Sequence, residues 1–202
     1  MSEFQFQIKV SGKAQPASLQ FATKQELLRY HRSLPSKGKR SSRIVRDAIE
    51  FTRLAAKRWR YYSEAGEATE SLAGLRQAIV ENRHCEVAFI LIATTSHKNH
   101  EWPVGLAYCR RTWCHHLALD FLALHPRTFD EQERVNGVGS GIVYCLVSLA
   151  KSLQIHRIWG EATVYSAPFY EKLLGQSPVL DLFEIESREM KAIQNRQAKT
   201  GR

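Results

Sequence analysis

The sequence predicts one α/β domain, a mixed sheet covered by helices. Three observations carry that expectation: an opening stretch of period-2 alternation, a middle run of short apolar segments bounded by polar residues, and stretches of helical periodicity before and after that run. Residues 4–10 (FQFQIKV) alternate polar and apolar and suit an opening strand. Thr23 is followed three residues later by Glu26 and then by Leu27 and Leu28, the spacing of a capping box, which predicts a short helix over 24–33.

A loop (LPSKGK) follows, and Ser41 or Ser42 is placed to cap the next helix. In that helix Ile44, Ala48, Phe51, Ala55, Trp59 and Tyr62 recur at intervals of three or four and predict one buried stripe. A third helix is expected near 69–81, carrying Leu72, Leu75 and Ile79. From Val87 the character changes. VAFILIATT reads as a central strand, SHKNHEWP as a hairpin loop, VGLAYCR as a second strand and HLALDFLALHP as a third, stopped by Pro126. A glycine cluster then opens into the helix-length run GIVYCLVSLAKSL. The strand HRIWGEATV, the short helix SAPFYEKLLG ending at Gly175, a last strand over 179–185 and a polar, partly helical tail complete the order. The expected division is one domain over 1–186 and a C-terminal tail over 187–202.

Composition limits the function classes. An apolar fraction of 44% and a charged fraction of 24% belong to a folded globular chain. No run approaches the roughly 18 apolar residues that cross a bilayer, so membrane insertion is not expected. MSEFQFQIKV has no basic flank before an apolar core, so no secretory signal is expected and the cytoplasm is the default location. Cys85, Cys109, Cys114 and Cys145 form no disulfide framework, and Cys145 in IVYCLVSLA reads as a core residue. Cys109 and Cys114 with His115 and His116 match no familiar zinc spacing, and no metal is expected.

The formal charge is +9, and the excess is uneven. Lys37, Lys39, Arg40, Arg43, Arg46, Arg53, Lys57, Arg58 and Arg60 face only Asp47 and Glu50 within 37–60. Such a segment suits a nucleic acid, an anionic membrane or an acidic substrate, or a solvated helix face that helps to draw in an anionic ligand.

The most informative stretch is RVNGVGSGIVYCLVSLAK. Gly137, Gly139 and Gly141 allow a tight turn and close approach of backbone to a bulky anion. The first-turn N–H groups of the helix that follows have no intrahelical acceptors, and the helix dipole favours negative charge there. Arg134 adds a charge-assisted donor for phosphate. No Gly-Lys-Ser/Thr closes the pattern, and it lies two-thirds along the chain, so it is neither a nucleoside-triphosphate loop nor a dinucleotide fingerprint.

With those residues in view, the segment from Leu122 to Gly175 resembles the core of the GCN5-related N-acetyltransferase (GNAT) superfamily. The family carries Arg or Gln, two free positions, Gly, one free position, then Gly or Ala, matched by Arg134, Gly137, Val138 and Gly139. Leu124-His125-Pro126 before it and Ala167-Pro168-Phe169-Tyr170-Glu171-Lys172-Leu173 after it fit as well. The resemblance covers roughly a quarter of the chain.

It implies a mostly antiparallel mixed sheet flanked by helices, with a cofactor cleft between two splayed central strands, one ending at His125 and one starting near His156. Acetyl-CoA would lie in that opening. Leu122, Ala123 and Leu124 would pair with the pantetheine arm through their backbone. Arg134, Val135, Asn136, Gly137, Val138, Gly139, Ser140 and Gly141 would take the pyrophosphate. Tyr170 would sit by the thioester sulfur as a candidate general acid, and Ser166, a natural helix cap, could also touch the cofactor. The chemistry implied is direct attack of an amine without a covalent enzyme intermediate, with Glu161 or Asp120 as candidate general base. His125 reads as a strand end rather than a catalytic group.

The implied acceptor is a primary amine on a small molecule, a peptide or protein, or a charged RNA adduct, with a small metabolite preferred. Two other classes compete: a nucleic-acid-binding protein using the basic 37–60 segment, and a catalytically silent CoA-binding fold. The family usually ends on two strands around the last short helix, whereas here one is visible. The other is missing, replaced by a helix or supplied by a partner subunit, which leaves a homodimer open.

Overall fold

A hairpin opens the chain in the computed structural model, which describes residues 4–35, 42–97, 100–130 and 132–200. Strand β1 (Phe4–Val10) turns through Ser11 and Gly12, both at positive φ, into β2 (Lys13–Phe21). The first strand is the expected one. The second is not expected from the sequence: its alternation of Ala17, Leu19 and Phe21 with Ser18 and Gln20 is short and follows a proline.

Helix α1 (Lys24–Ser33) starts on the expected capping box: the Glu26 N–H donates to the Thr23 hydroxyl at 3.2 Å, and the Thr23 N–H to the Glu26 carboxylate at 2.8 Å. Helix α2 (Arg43–Glu64) is capped by Ser42. Lys37, Lys39, Arg40 and Ser41 lie outside the described residues. The buried stripe of α2 is Ala48, Ile49, Thr52, Ala55, Ala56 and Trp59, rotated from the expected one. Ile44 is exposed, and Phe51 and Tyr62 are half-buried. The alanines sit against the sheet, where small side chains allow close approach. Arg46, Arg53, Lys57 and Arg60 are exposed on the outer side, whereas Arg58 turns towards Asp120. Helix α3 (Leu72–Glu81) is capped by Ser71, three residues later than expected.

Strands β3 (Val87–His97) and β4 (His100–Arg111) run on through most of the segment expected to be a loop. The correction is physical. The register shifts between Ala93 and Thr94, placing Thr94 opposite Pro103 and Val104 as the extra residue, and the bulge accommodates the missing proline N–H. Strand β5 (Leu117–Leu124) is followed by a 3-10 turn (Pro126–Phe129), the two-residue strand β6 (Val135–Asn136) and helix α4 (Val138–Ser152).

Then come β7 (Ile158–Glu161), α5 (Ala167–Leu174) ending at left-handed Gly175, β8 (Leu182–Ile185) and α6 (Ser187–Thr200). Strand β8 is shorter than 179–185, since the Val179 N–H goes to the Glu171 carboxylate instead of to a neighbouring strand. The segment after 186 is a helix whose Met190 and Ile193 are buried in the core, so it packs on the domain rather than trailing from it.

The sheet has eight strands among the described residues, in the order β6-β1-β2-β3-β4-β5-β7-β8. Among the described residues these strands pair antiparallel, except β5 with β7. Helices α1 and α2 cover one face, and α3, α4, α5 and α6 pack into the core of the other. No helix among the described residues is long and apolar enough to cross a membrane.

Helix α4 is the centre of the larger core, with Val138, Ile142, Val143, Leu146, Val147 and Leu149 all buried. Cys145 is buried among them as expected, and desolvation pushes its thiol up to about 12. Gly141 lets this helix lie against β1: a Cβ there would fall 1.9 Å from the Phe6 ring. Gly141→Ala is therefore expected to cost about 1–3 kcal/mol by overpacking. A lowered urea midpoint, partly restored by adding Phe6→Leu, is the result to look for. An unchanged midpoint in Gly141→Ala would show that the ring yields freely.

His125 is fully buried where β5 ends. Its Nδ1 accepts from the Arg127 backbone N–H at 3.3 Å, so the neutral ring carries its proton on Nε2, which lies 3.1 Å from the Ser33 hydroxyl. Burial, helped by the nearby Arg127 charge, pushes its pKa down from 6.5 to about 4. A folded-state value below the unfolded one means the neutral ring is what the fold stabilises. That contribution is complete above about pH 6.5 and is lost as pH falls through about 4. Urea unfolding at about pH 7 and about pH 5 should show a smaller pH dependence for His125→Gln than for the wild type. Equal slopes would remove His125 from the acid sensitivity.

Candidate active site

Strands β5 and β7 are paired only at Leu117 with Ile158 and Ala118 with Trp159. Just beyond, Gly160 passes so close to β5 that a Cβ would lie 2.5 Å from the Leu119 carbonyl oxygen and 2.8 Å from the Phe183 ring. On the β5 side the register shifts between Tyr108 and Cys109, which leaves Asp120 as the extra residue of a bulge. From this point the two strands separate, and the β5 edge from Leu119 to Leu124 faces an opening with no strand paired to it among the described residues.

The opening is a cavity of about 860 Å³, the size of a small-molecule or cofactor site. Its walls come from five places: the first turns of α2 (Ser42, Ile44, Phe51), the β5 edge (Asp120, Phe121, Leu122, Leu124), the turn after β5 (Thr128, Phe129, Asp130), the segment Arg134–Ser140, and the β7–α5 junction (Glu161, Thr163, Ser166, Phe169, Tyr170).

The segment expected to bind an anion is placed at this cleft. Gly137 precedes α4 with φ of 89° in the left-handed region, where glycine is at ease. The N–H groups of Val138, Gly139 and Ser140 form the first turn and have no intrahelical acceptor. Gly139 leaves a shallow space, since a Cβ there would lie 3.2 Å from the Phe169 ring. Arg134 is exposed at the rim, and its carbonyl accepts from the Ser11 N–H at 3.0 Å, which ties the loop to the first hairpin. Asn136 is exposed beside it, while Val135 is buried and pairs with Val10.

Gly141 stands further into the helix. Its N–H donates to the Gly137 carbonyl at 2.9 Å, its missing side chain makes room for Phe6, and it lines a cavity behind the helix start. Leu122 and Leu124 line the cleft; Ala123 is buried, and only its backbone lies on the open edge. Behind the same helix start, a second cavity of about 710 Å³ shares Asn136, Gly137, Ser140 and Phe169 with the cleft and is edged by Lys9, Lys172, Arg196 and Tyr144.

Tyr170 is buried at the base of the opening, stacked on Phe183 at 3.8 Å between ring centroids and edge-on to Phe169 at 4.9 Å. Desolvation pushes its hydroxyl pKa well above 10, so it holds its proton at neutral pH. Glu161 ends β7 as an exposed carboxylate on the cleft wall. Ser166 precedes α5, but its hydroxyl does not cap the helix; it accepts from the Thr163 N–H at 2.8 Å and fixes the bend between β7 and α5.

Asp120 is held differently from Glu161. Arg110 grips it with two hydrogen bonds of 2.6 and 2.9 Å, and Arg58 stands 3.7 Å away. Arg110 also bonds Glu86 at 2.7 Å, and Tyr62 donates to the same carboxylate. Burial works against the Glu86 charge, but these hydrogen bonds outweigh it and hold its pKa below the ordinary value. This network explains a polar residue in an apolar strand: Asp120 ties the bulge to β4 and α2.

Sequence reasoning misses the α2 contribution to the cleft. The available signal is that Ile44 and Phe51 are apolar but stand off the true buried stripe. It also misses the link beside the mouth, where the Arg43 guanidinium lies 4.0 Å over the Tyr165 ring and donates to its hydroxyl at 2.5 Å.

No family model and no curated protein matches the chain. Solved structures do. AtaTR bound with acetyl-CoA is 12% identical, with 88% of this chain and 97% of that one covered and a TM-score of 0.46. A chimera of the spermidine N-acetyltransferase SpeG from Vibrio cholerae and hSSAT is 10% identical, covering 89% and 99% with a TM-score of 0.45. A GNAT-family acetyltransferase from Staphylococcus aureus Mu50 is 12% identical, covering 83% and 97% with a TM-score of 0.41. The chain is thus similar, at low identity, to solved acetyltransferases of the GNAT family.

Proposed function

We propose that this chain is an acetyl-CoA-dependent N-acetyltransferase of the GCN5-related superfamily, acting on a primary amine in the cytoplasm. The observation that carries the reading is the meeting of three features at one cleft. A helix N-terminus with a left-handed glycine turn, a strand edge left open by splaying, and a buried protonated tyrosine all face the same cavity.

The residues present fit acetyl-CoA. The first-turn N–H groups of α4 and the Arg134 guanidinium would hold the pyrophosphate. The open backbone edge at Leu122–Leu124 would pair with the amides of the pantetheine arm. The second cavity, with Lys9 and Lys172 at its edge, would take the phosphorylated adenosine end. Bound there, acetyl-CoA would supply an activated thioester, with the thiol of CoA as the leaving group when an amine takes the acetyl group.

The chain's own residues then manage protons. Glu161 accepts the proton that the arriving ammonium must lose before it can attack. Tyr170 keeps its hydroxyl proton through burial and would give it to the departing sulfur, and the second proton, lost by the nitrogen as it becomes an amide, would restore that hydroxyl. Water exclusion comes from Leu122, Leu124 and Phe169 on the cleft wall.

Calorimetric titration with acetyl-CoA tests the cofactor half of this reading. Micromolar affinity is expected for the wild type and none for Gly139→Glu, whose carboxylate would stand in the phosphate position beside Phe169. Retained affinity in a folded Gly139→Glu protein would place the pyrophosphate elsewhere. Single-turnover transfer tests the chemistry. Tyr170→Phe should bind acetyl-CoA as the wild type does and transfer about 10²-fold or more slowly, within the usual range for general acid catalysis. An unchanged rate would remove the hydroxyl from the reaction. Binding without transfer to any amine would instead indicate a CoA sensor.

A further inference from the structure

Resting on the acetyl-transfer reading, we infer that the half of the cleft opposite the α4 N-terminus is a subsite for a small primary amine carried on a flat apolar body, an arylalkylamine. The wall there is made by Ile44 and Phe51 from α2, Phe121 from the β5 bulge and Phe129 from the turn after β5. Phe51 and Phe121 lie 6.0 Å apart at 30° between ring planes. Phe121 is held from its other sides by Tyr108 at 6.0 Å and by the Arg58 guanidinium at 5.7 Å. Ile44 is 59% exposed in the first turn of α2, and it lines the cleft rather than the core. Fixed aromatic surfaces of this kind favour a flat ring over a flexible polar chain.

The charge pattern fits the amine. The protein carries +9 overall, yet among the described residues the cleft lining holds Asp120, Asp130 and Glu161 against Arg134 as the one cationic side chain. Arg134 stands with the glycine turn, at the end assigned to phosphate. Arg110 occupies Asp120, so the carboxylates that meet an incoming ammonium are Glu161 and Asp130. A linear polyamine would have to bring a second ammonium against the aromatic wall, where desolvation opposes it. The Arg43–Tyr165 link joins the start of α2 to the β7–α5 loop beside the cleft, which suits a slender small molecule better than a folded protein surface.

The test is a comparison of kcat/KM for 2-phenylethylamine, n-butylamine and spermidine in a CoA-release assay, with acetyl-CoA binding measured on the same preparation. A preference of about tenfold or more for 2-phenylethylamine over n-butylamine is expected, with spermidine the poorest. Phe51→Ala should bring the ratio of the first two close to one, and Phe51→Tyr should keep it. Equal constants for the two amines, a preference for spermidine, or a ratio untouched by Phe51→Ala would each overturn the subsite. If acetyl-CoA binds normally in those cases, the cofactor reading stands and only the acceptor class falls. Failure to bind acetyl-CoA would overturn both.

Discussion

The parting of β5 from β7 is the constraint on which the site depends. Two parallel strands that stay paired bury their edges in a ladder and leave no room for a ligand. Here the ladder stops after Ala118 and Trp159. Two features sit where it stops. Gly160 comes into contact with the Leu119 carbonyl, and Asp120 is inserted as a bulge that bends β5. The separated strands expose unpaired backbone to a cavity, an expensive arrangement unless a polar ligand or water completes it. Tyr170 fills the base of the opening and stacks on Phe183 of β8, so the cavity is open on the side of α4 and closed below.

The bulge is stable because its extra residue is a carboxylate with partners. Arg110 reaches it from β4 and Arg58 from α2, while Glu86 and Tyr62 secure the other side of the Arg110 guanidinium. Bridging carboxylates balance the positive charge of this part of α2 and β4, so the network connects the helix layer to the strand that bends. Through Arg58 it also braces Phe121. One set of ion pairs therefore shapes the cleft twice, by opening the strand and by fixing an aromatic wall.

Much of this arrangement is legible in the sequence because local chemistry states it. The Thr23–Glu26 spacing gives the first helix, the short apolar runs give β3, β4 and β5, and the glycine-rich stretch marks the start of α4. Illegible features depend on distant neighbours. Strand β2 alternates only over Ala17–Phe21, and its first half, with Pro16, is held in the sheet by pairing with β1. The rotation of the α2 stripe is decided by which small residues meet the sheet. The C-terminal helix looks polar because only Met190 and Ile193 need to be apolar to anchor it. The Asp120 network joins residues up to 62 positions apart, and no window of sequence contains it.

The three glycines at the start of α4 show how far a motif can be trusted. They are spaced alike and chemically identical, yet each answers a different requirement. Gly137 supplies a left-handed φ, Gly139 keeps side-chain atoms away from Phe169 at the mouth of the cleft, and Gly141 yields its space to Phe6 on the far side of the helix. Helical geometry separates the last two, because residues two apart point about 200° from each other around the axis. A glycine on the cleft side keeps that wall free of side-chain atoms, whereas one on the opposite side makes room for the core. The spacing alone therefore locates the helix start and does not say which requirement each glycine meets.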